Sequence, residues 1–433
     1  MRRAGPTPAR GKAFRTHRGT PFCWLLVAGA ALVSGCPRPQ PARLGPEPEL
    51  RVGIAVGIPR VQLGGEGGGE LFVTDDGDGS PVGAIPAGTT WTVVPDSNGL
   101  VLVRPDGSRT ARHGGISAVS VTEGRFAMAD GRRYRGRVNV IRARTGGGLT
   151  LLNRVPVESY LAGVVGQELG PRRPEERQAL LAQAVVSRTF ALRNLGRWEA
   201  DGFDATADTR DQVYLGVLGE SPQVWDALRA TTGQVLEYHG RLIDAFFHST
   251  CGGRTADVGE VFSSAVHAPY LRSVSDASGG GHFYCESSPR FHWREEWDGQ
   301  TLRTILTRTL ANVMPSDGDS LPPISDIEVT RTTHSGRVAE LRIRFAHGDV
   351  RIAEPQVRSV LRPAPDRLLF SAAFRAFVTR DGDVVSRLVV DGHGAGHGVG
   401  MCQWGAIGRA RAGQGYVKIL TTYFPGTAVA RLY

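Results

Sequence analysis

Glu168 closes the stretch PVESYLAGVVGQEL, residues 156–169, and stands apart from the other carboxylates of the chain. It lies seven residues after Leu161, four after Val164 and three after Val165, spacings that place it on the apolar face of a helix. A carboxylate there loses hydration, and in a last helical turn it also meets the negative end of the helix dipole. Both effects raise its pKa, which is what a general acid near neutral pH requires. The competing reading makes Glu168 a structural ion pair with an arginine such as Arg188. Glu158, Glu175 and Glu176 meet no such conflict and read as first-turn acids on solvated faces.

A second candidate is DGHGAGHGVGMCQWGA, from Asp391 to Ala406, with glycine at every even position from Gly392 to Gly400. Each glycine costs a helix roughly 1 kcal/mol relative to alanine, so His393 and His397 are not a helical zinc-binding pair. If the stretch is extended, period 2 puts both histidines on one face but about 13 Å apart, too far for one ion. No phosphate-loop register fits either. The glycines instead strip the backbone so that something can approach closely, either a neighbouring strand or a ligand. Gln403 and Trp404 then offer an amide and an apolar plate, a pairing that suits a sugar ring, although Trp404 reads equally well as core.

The cysteines form a third group. Cys23 and Cys36 belong to the N-terminal segment, which leaves Cys251, Cys285 and Cys402 in the body. An odd number permits one internal bridge, expected between Cys251 and Cys285. His248-x-x-Cys251 and His282-x-x-Cys285 compete as a zinc-like set. Ser249 follows His248 without a GxSxG elbow, and Cys251 would need both a matched base and a free thiol, so both are weak nucleophile candidates.

The elements that must position these residues follow from pattern. Short β runs between glycine turns fill residues 50–153: RVGIAVGI, ELFVT, TWTVV, LVLV, VNVIRA and LTLLN. Two helices are predicted next, over 156–169 and 174–195, with Pro156 and Pro174 in first turns and Gly170 and Gly196 as stops. Residues 301–390 alternate a helical piece with strands. The fold class expected is α+β, a β-rich N-terminal module followed by a mixed α/β catalytic-type core with a cleft. The parts read as 1–35 signal, 36–49 linker, 50–153 β-rich, 154–300 helical hairpin and core, 301–390 inserted α/β subdomain, and 391–433 glycine-rich motif with a C-terminal helix.

The 433 residues carry a formal charge of +9, but six of the basic residues precede residue 36 with no acid among them, leaving about +3 for the body. That gives no nucleic-acid footprint. The basic segment and the apolar run from Phe22 to Val33 have the form of a signal peptide, too short to span a membrane. It ends in Val33-Ser34-Gly35-Cys36, which resembles a bacterial lipobox and implies lipidation of Cys36. A Pro-rich spacer follows. The expected location is the cell envelope, anchored through lipid. Pro37 after the cysteine favours the periplasmic face of an outer membrane in a Gram-negative cell.

Several separated motifs occur in the order found in one family: LRVGIAVG at Leu50, RYRGRVNV at Arg133, NRVPVESYLAGVVGQEL at Asn153, EERQALLAQAVVSRTFAL at Glu175, DQVYLG at Asp211, FFHSTCGGRT at Phe246, and GHGVGMCQWGAIGRARAGQGYVKILTTYFPGTAV at Gly396. In these the chain resembles the SpoIID/LytB family of bacterial cell-wall proteins, typified by the stage II sporulation protein D lytic transglycosylases. The resemblance implies non-hydrolytic cleavage of MurNAc–GlcNAc bonds in peptidoglycan glycan strands, on peptide-stripped strands in the sporulation relatives, with 1,6-anhydro-MurNAc ends. The family's catalytic glutamate falls on Glu168. Ser249, His248, Gln212, Tyr214, His397 and Gln403 match motif positions and are expected to line the cleft. Gln183 and Arg188 are expected either to orient Glu168 or close the site, or to serve a structural role. The glycine run, as a family motif, is expected to admit a glycan strand. The alternative the resemblance carries is a non-catalytic amidase enhancer that binds wall glycan or a partner cell-wall amidase. Sporulation members hold a His/Cys zinc cluster before the QVY motif. Here that stretch reads DGFDATADTRDQVY, so no metal or other cofactor is expected, and Cys402 replaces the usual serine.

Overall fold

All six predicted β runs form strands, because alternating or continuous Val, Ile and Leu can be buried on a pleated surface. The computed structural model describes residues 45–262, 268–311, 321–354 and 356–433. The signal segment, Cys36 and the start of the spacer lie outside the described residues. Strand Glu49–Ile58 pairs antiparallel with Leu149–Pro156, and the sheet continues through Arg137–Arg142, Gly115–Ser120, Leu71–Asp75 and Pro81–Ile85. On the other edge Val52 and Gly53 pair in parallel with Ala205 and Thr206. A second, five-stranded sheet packs beside it. Leu50, Val52, Val73, Val140 and Leu151 share one core with the helices that follow, so the β-rich part is no separate module. The strands missed from sequence, Val61–Gly64 and Gly115–Ser120 among them, are short or start on glycine.

Strand Leu149–Pro156 runs straight into α1 (Val157–Leu169). Val157, Tyr160, Leu161, Val164 and Val165 are fully buried there, at helical spacing. At roughly 1.5–3 kcal/mol each, these side chains give the helix on the order of 10 kcal/mol of gross burial energy. Gly163 and Gly166 let the backbone of residues 214–219 come close. A Cβ on Gly163 would lie 2.5 Å from the Tyr214 ring, and one on Gly166 2.6 Å from the Gly219 carbonyl. Residue 163 therefore tolerates nothing larger than glycine without moving that loop. The second predicted helix begins as a 3₁₀ turn at Pro174–Glu176 and continues as α2 (Arg177–Arg193), almost wholly buried.

A second hydrophobic core gathers Trp293, Trp297, Leu302, Leu306, Ile343 and Leu388. The chain enters this part on His292–Asp298 and leaves it on Val384–His393, and these two strands pair along their length, His292 opposite His393. Beyond His393 the stretch is not extended. Gly394, Gly396, Gly398 and Gly400 all have positive φ, between 75° and 98°, so the segment winds rather than extends. A Cβ would meet the Thr250 carbonyl at Gly394, the His248 side chain at Gly396, the Arg337 guanidinium at Gly398 and the Phe246 carbonyl at Gly400. The protein's own 246–251 segment and Arg337 occupy the space at these glycines. The chain ends in α3 (Gln403–Arg411), α4 (Tyr416–Tyr423) and a strand, Ala428–Arg431. Among the described residues no helix is long and apolar enough to cross a membrane.

Candidate active site

Glu168 sits one residue before the end of α1, at a cleft of ≈ 450 Å³ lined also by Phe190, Asp211, Phe246, Phe247 and His397. Three elements meet there for identifiable reasons. The glycine face of α1 draws in the loop 211–219, so that the Val213 backbone N–H reaches the Glu168 carboxylate. The winding glycine segment delivers His397. The first residue of α3, Gln403, donates from its amide to the Glu168 carbonyl at 2.9 Å and also to the Glu168 carboxylate.

Burial raises the Glu168 pKa, and the Gln403 and Val213 hydrogen bonds only partly offset it. None of the ion pairs among the described residues involves Glu168. A carboxyl desolvated, hydrogen-bonded by neutral donors and without a paired cation holds its proton to higher pH than an ordinary glutamate. The arginine pairing considered from sequence is overturned. Arg188, fully buried, grips Glu158 through Nε at 2.9 Å and Nη2 at 2.6 Å and donates to the Gln234 carbonyl. It neither orients Glu168 nor closes the cleft. Glu158 is correspondingly no solvated acid, and neither is Glu176, which is 2% exposed and held by Arg411.

Of the remaining predicted residues, His397 lines the cleft. The Val399 N–H donates to its Nδ1, so its Nε2 carries the proton and donates to the Phe247 carbonyl. Burial pushes its pKa down to about 4. His248 is buried behind it, ring centroids 5.5 Å apart, with Nδ1 against the Val399 carbonyl and its own pKa well below the ordinary value through burial. Gln403 is buried and not among the cleft residues but touches Glu168, and Gln183 stands behind it, Oε1 3.4 Å from the Gln403 amide, so Gln183 acts on Glu168 only through Gln403. Tyr214 and Gln212 do not line the cleft. Tyr214 is core, its hydroxyl donating to Asn153, and Gln212 is buried against the Tyr160 hydroxyl. Ser249 turns to Thr250 at 3.2 Å and is not among the cleft residues. Trp404 packs against the core.

Sequence reasoning missed Asp211, Arg197 and Arg210. Asp211 accepts from the Trp198 indole, Thr206 and Arg197, so every part of it is committed to holding its loop. Arg197 and Arg210 lie over the Trp198 ring at the cleft edge. The Trp198 and Asp211 positions, thirteen residues apart, carry no periodic signal.

The expected Cys251–Cys285 bridge is not formed. Both thiols are free and buried, with Sγ atoms 3.5 Å apart, and Cys402 lies beside them. His248 and His282 stay away from this group. His248 faces His397, and His282 is exposed beside Glu286.

Residues 145–238 match the family described as stage II sporulation protein, and residues 277–400 match a family described as a domain of unknown function. An uncharacterized protein of Brachyspira hyodysenteriae is 30% identical over 285 residues, 65% of this chain and 68% of the relative. The chain belongs to the SpoIID/LytB family. Stage II sporulation protein D of Bacillus subtilis is 29% identical over 299 residues, 64% of this chain and 76% of that protein. The amidase enhancer of the same organism is 30% identical over 332 residues, 71% of this chain but 45% of the enhancer, so this SpoIID/LytB chain spans less than half of that relative. Its function is cell-wall related.

Proposed function

We propose that the chain is a peptidoglycan lytic transglycosylase with Glu168 as its single acid/base. The observation that carries this is Glu168 itself, a carboxyl whose pKa burial raises, without a paired cation, open to a cleft. Protonated Glu168 donates to the glycosidic oxygen as the C1–O bond breaks. The carboxylate left behind accepts the proton of the same sugar's 6-hydroxyl as O6 bonds to C1. The product is a 1,6-anhydro ring, no water is consumed, and Glu168 ends protonated again. A hydrolytic glycosidase needs a second carboxylate. Asp211, the other carboxylate lining this cleft, is engaged by its own loop and cannot serve. Phe190, Phe246, Phe247 and Phe262 offer apolar walls for sugar faces, and Arg197 and Arg210 at the edge suit the lactyl carboxylate that a peptide-stripped strand exposes.

The second reading, an amidase enhancer that binds glycan or a partner amidase, is favoured by the likeness to the enhancer over 71% of this chain. On either reading the substrate lies in the wall, and a lipid anchor at Cys36 would hold the protein in the envelope.

Intact and peptide-stripped peptidoglycan, incubated with the chain or with Glu168→Gln and analysed by mass spectrometry, separates these readings. Anhydro-MurNAc ends from the unaltered chain alone support the enzyme and the residue. Binding without such ends on either substrate supports the enhancer. Ends from both proteins retain the enzyme and remove Glu168 from its role.

A further inference from the structure

We propose that Cys251, Asp276, Cys285 and Cys402 form a structural zinc site. Their four ligand atoms, three Sγ and one carboxylate oxygen, all lie within 4.8 Å of one another, and all four residues are buried. Cys402 is more than a hundred residues from the 251–285 stretch that supplies the other three, so their convergence is a product of the fold. Zinc bound tetrahedrally by thiolates at ~2.3 Å and a carboxylate at ~2.0–2.2 Å holds its ligand atoms roughly 3.5–3.8 Å apart. The 3.5 Å between Cys251 and Cys285 already matches that edge.

The surroundings are built for such an ion. Asp276 has one oxygen committed, Oδ1, which accepts from the Tyr423 hydroxyl at 2.7 Å and from Arg409 Nη2 at 3.1 Å. Its Oδ2 faces the sulfur of Cys251. Metal-ligating carboxylates are held in this manner by an outer layer of donors. Arg409 is itself fixed between the Tyr284 and Tyr423 rings. Cys402 caps the N-terminus of α3, and its sulfur accepts the backbone N–H groups of Cys251 and Gly405, each at 3.2 Å. Amide donors and the positive end of a helix stabilise a thiolate, the form that binds metal. Gly405 and Gly408 exist to allow this approach. A Cβ on Gly405 would lie 2.6 Å from Asp276 Oδ2, and one on Gly408 2.0 Å from the Tyr284 carbonyl.

A disulfide uses two of the three sulfurs and, if Cys251 is one of them, takes from Asp276 Oδ2 the thiol that faces it. Three soft thiolates and one oxygen, with no water-facing position, select zinc in a closed site. The site lies away from the stretch where the sporulation relatives keep their His/Cys cluster, and it is independent of the catalytic reading. Its consequence for the cleft is positional. Cys402 immediately precedes Gln403, so the ion pins the helix start that reaches Glu168.

The test uses the purified full-length chain, prepared without reductant. Elemental analysis by plasma mass spectrometry is expected to give one zinc per chain. Replacement by Co²⁺ is expected to give intense thiolate-to-cobalt charge-transfer absorption and tetrahedral d–d bands. Cys402→Ser and Asp276→Asn, checked for folding by circular dichroism, are expected to lose zinc affinity tenfold or more, at least the effect of disturbing an outer-layer partner. A metal-free chain whose non-reduced peptide map shows Cys251 bridged to Cys285 overturns the proposal. So does a chain with free thiols that gives no thiolate–cobalt band with equimolar Co²⁺. Neither outcome depends on a variant that folds.

Discussion

Arg188 is not among the cleft residues yet is the best test of how the helical core and the chemistry divide their labour. Its guanidinium is fully buried and makes three donations, two to Glu158 and one to the Gln234 carbonyl. Glu158, with its side chain 12% exposed, also accepts from the Gly233 N–H at 3.1 Å and the Tyr433 hydroxyl at 2.8 Å. Arg188→Met keeps the volume of the stem and removes the charge. It leaves a carboxylate with two neutral donors and almost no water, a loss of about 3–5 kcal/mol by the general cost of breaking a buried pair. The double variant Glu158→Gln/Arg188→Met removes both charges and is expected to recover most of that loss. Urea denaturation of the three proteins measures both quantities. Any activity or glycan binding, measured at a temperature where Arg188→Met remains folded, is expected to be unchanged. An Arg188→Met protein as stable as the original but inactive would refute this division and return Arg188 to the role of orienting Glu168.

Three further outcomes follow from the same geometry. Gln403→Leu removes a hydrogen bond to the Glu168 carboxylate, so the Glu168 pKa rises further and the alkaline limb of the pH–activity profile moves up; an unmoved or lowered limb counts against it. Because burial raises the folded-state pKa of Glu168, its favourable contribution is present at pH below its ordinary value and is lost as pH rises through the raised one. Glu168→Gln should therefore be more stable than the unaltered chain at pH 7 and no more stable at pH 4, as read by denaturation at both. His397 works in the opposite sense. Its folded pKa of about 4 lies below the ordinary 6.5, so it stabilises above pH 6.5 and loses about 3 kcal/mol as pH falls to 4, a loss that His397→Gln should reduce in an acid titration of stability.

The helices were legible in the sequence because α1 carries its apolar residues at helical spacing and ends at Gly170, while α2 ends at Arg193, just short of its glycine stop at Gly196. Glu168 was legible for the same reason, since a carboxylate on an apolar stripe is a local contradiction. What failed was non-local. Tyr214 and Gln212 sit in a loop whose direction is set by Gly163 and Gly166 of α1, and nothing in their own neighbourhood says that they turn inward. The glycine run satisfies two conformations equally, a strand with one bare face and a chain of left-handed turns. Only the carbonyls of Phe246 and Thr250 and the Arg337 guanidinium, pressed against those glycines, decide between them. Asp276 was invisible beside the cysteines because it is a lone acid in a loop, joined to them only when α3 packs against that loop.

The paired strands His292–Asp298 and Val384–His393 set the terms on which the second core can change over evolution. A segment whose two ends lie side by side can be lengthened, shortened or exchanged without shifting its host. One tether qualifies that freedom. Arg337, carried by the second core and 1% exposed, reaches across to the Cys251 and Arg254 carbonyls and fills the space beside Gly398. A lineage that discarded the segment would open a hole behind the glycine turns that carry His397. Glycine at 398 and arginine at 337 are thus expected to be kept or lost together.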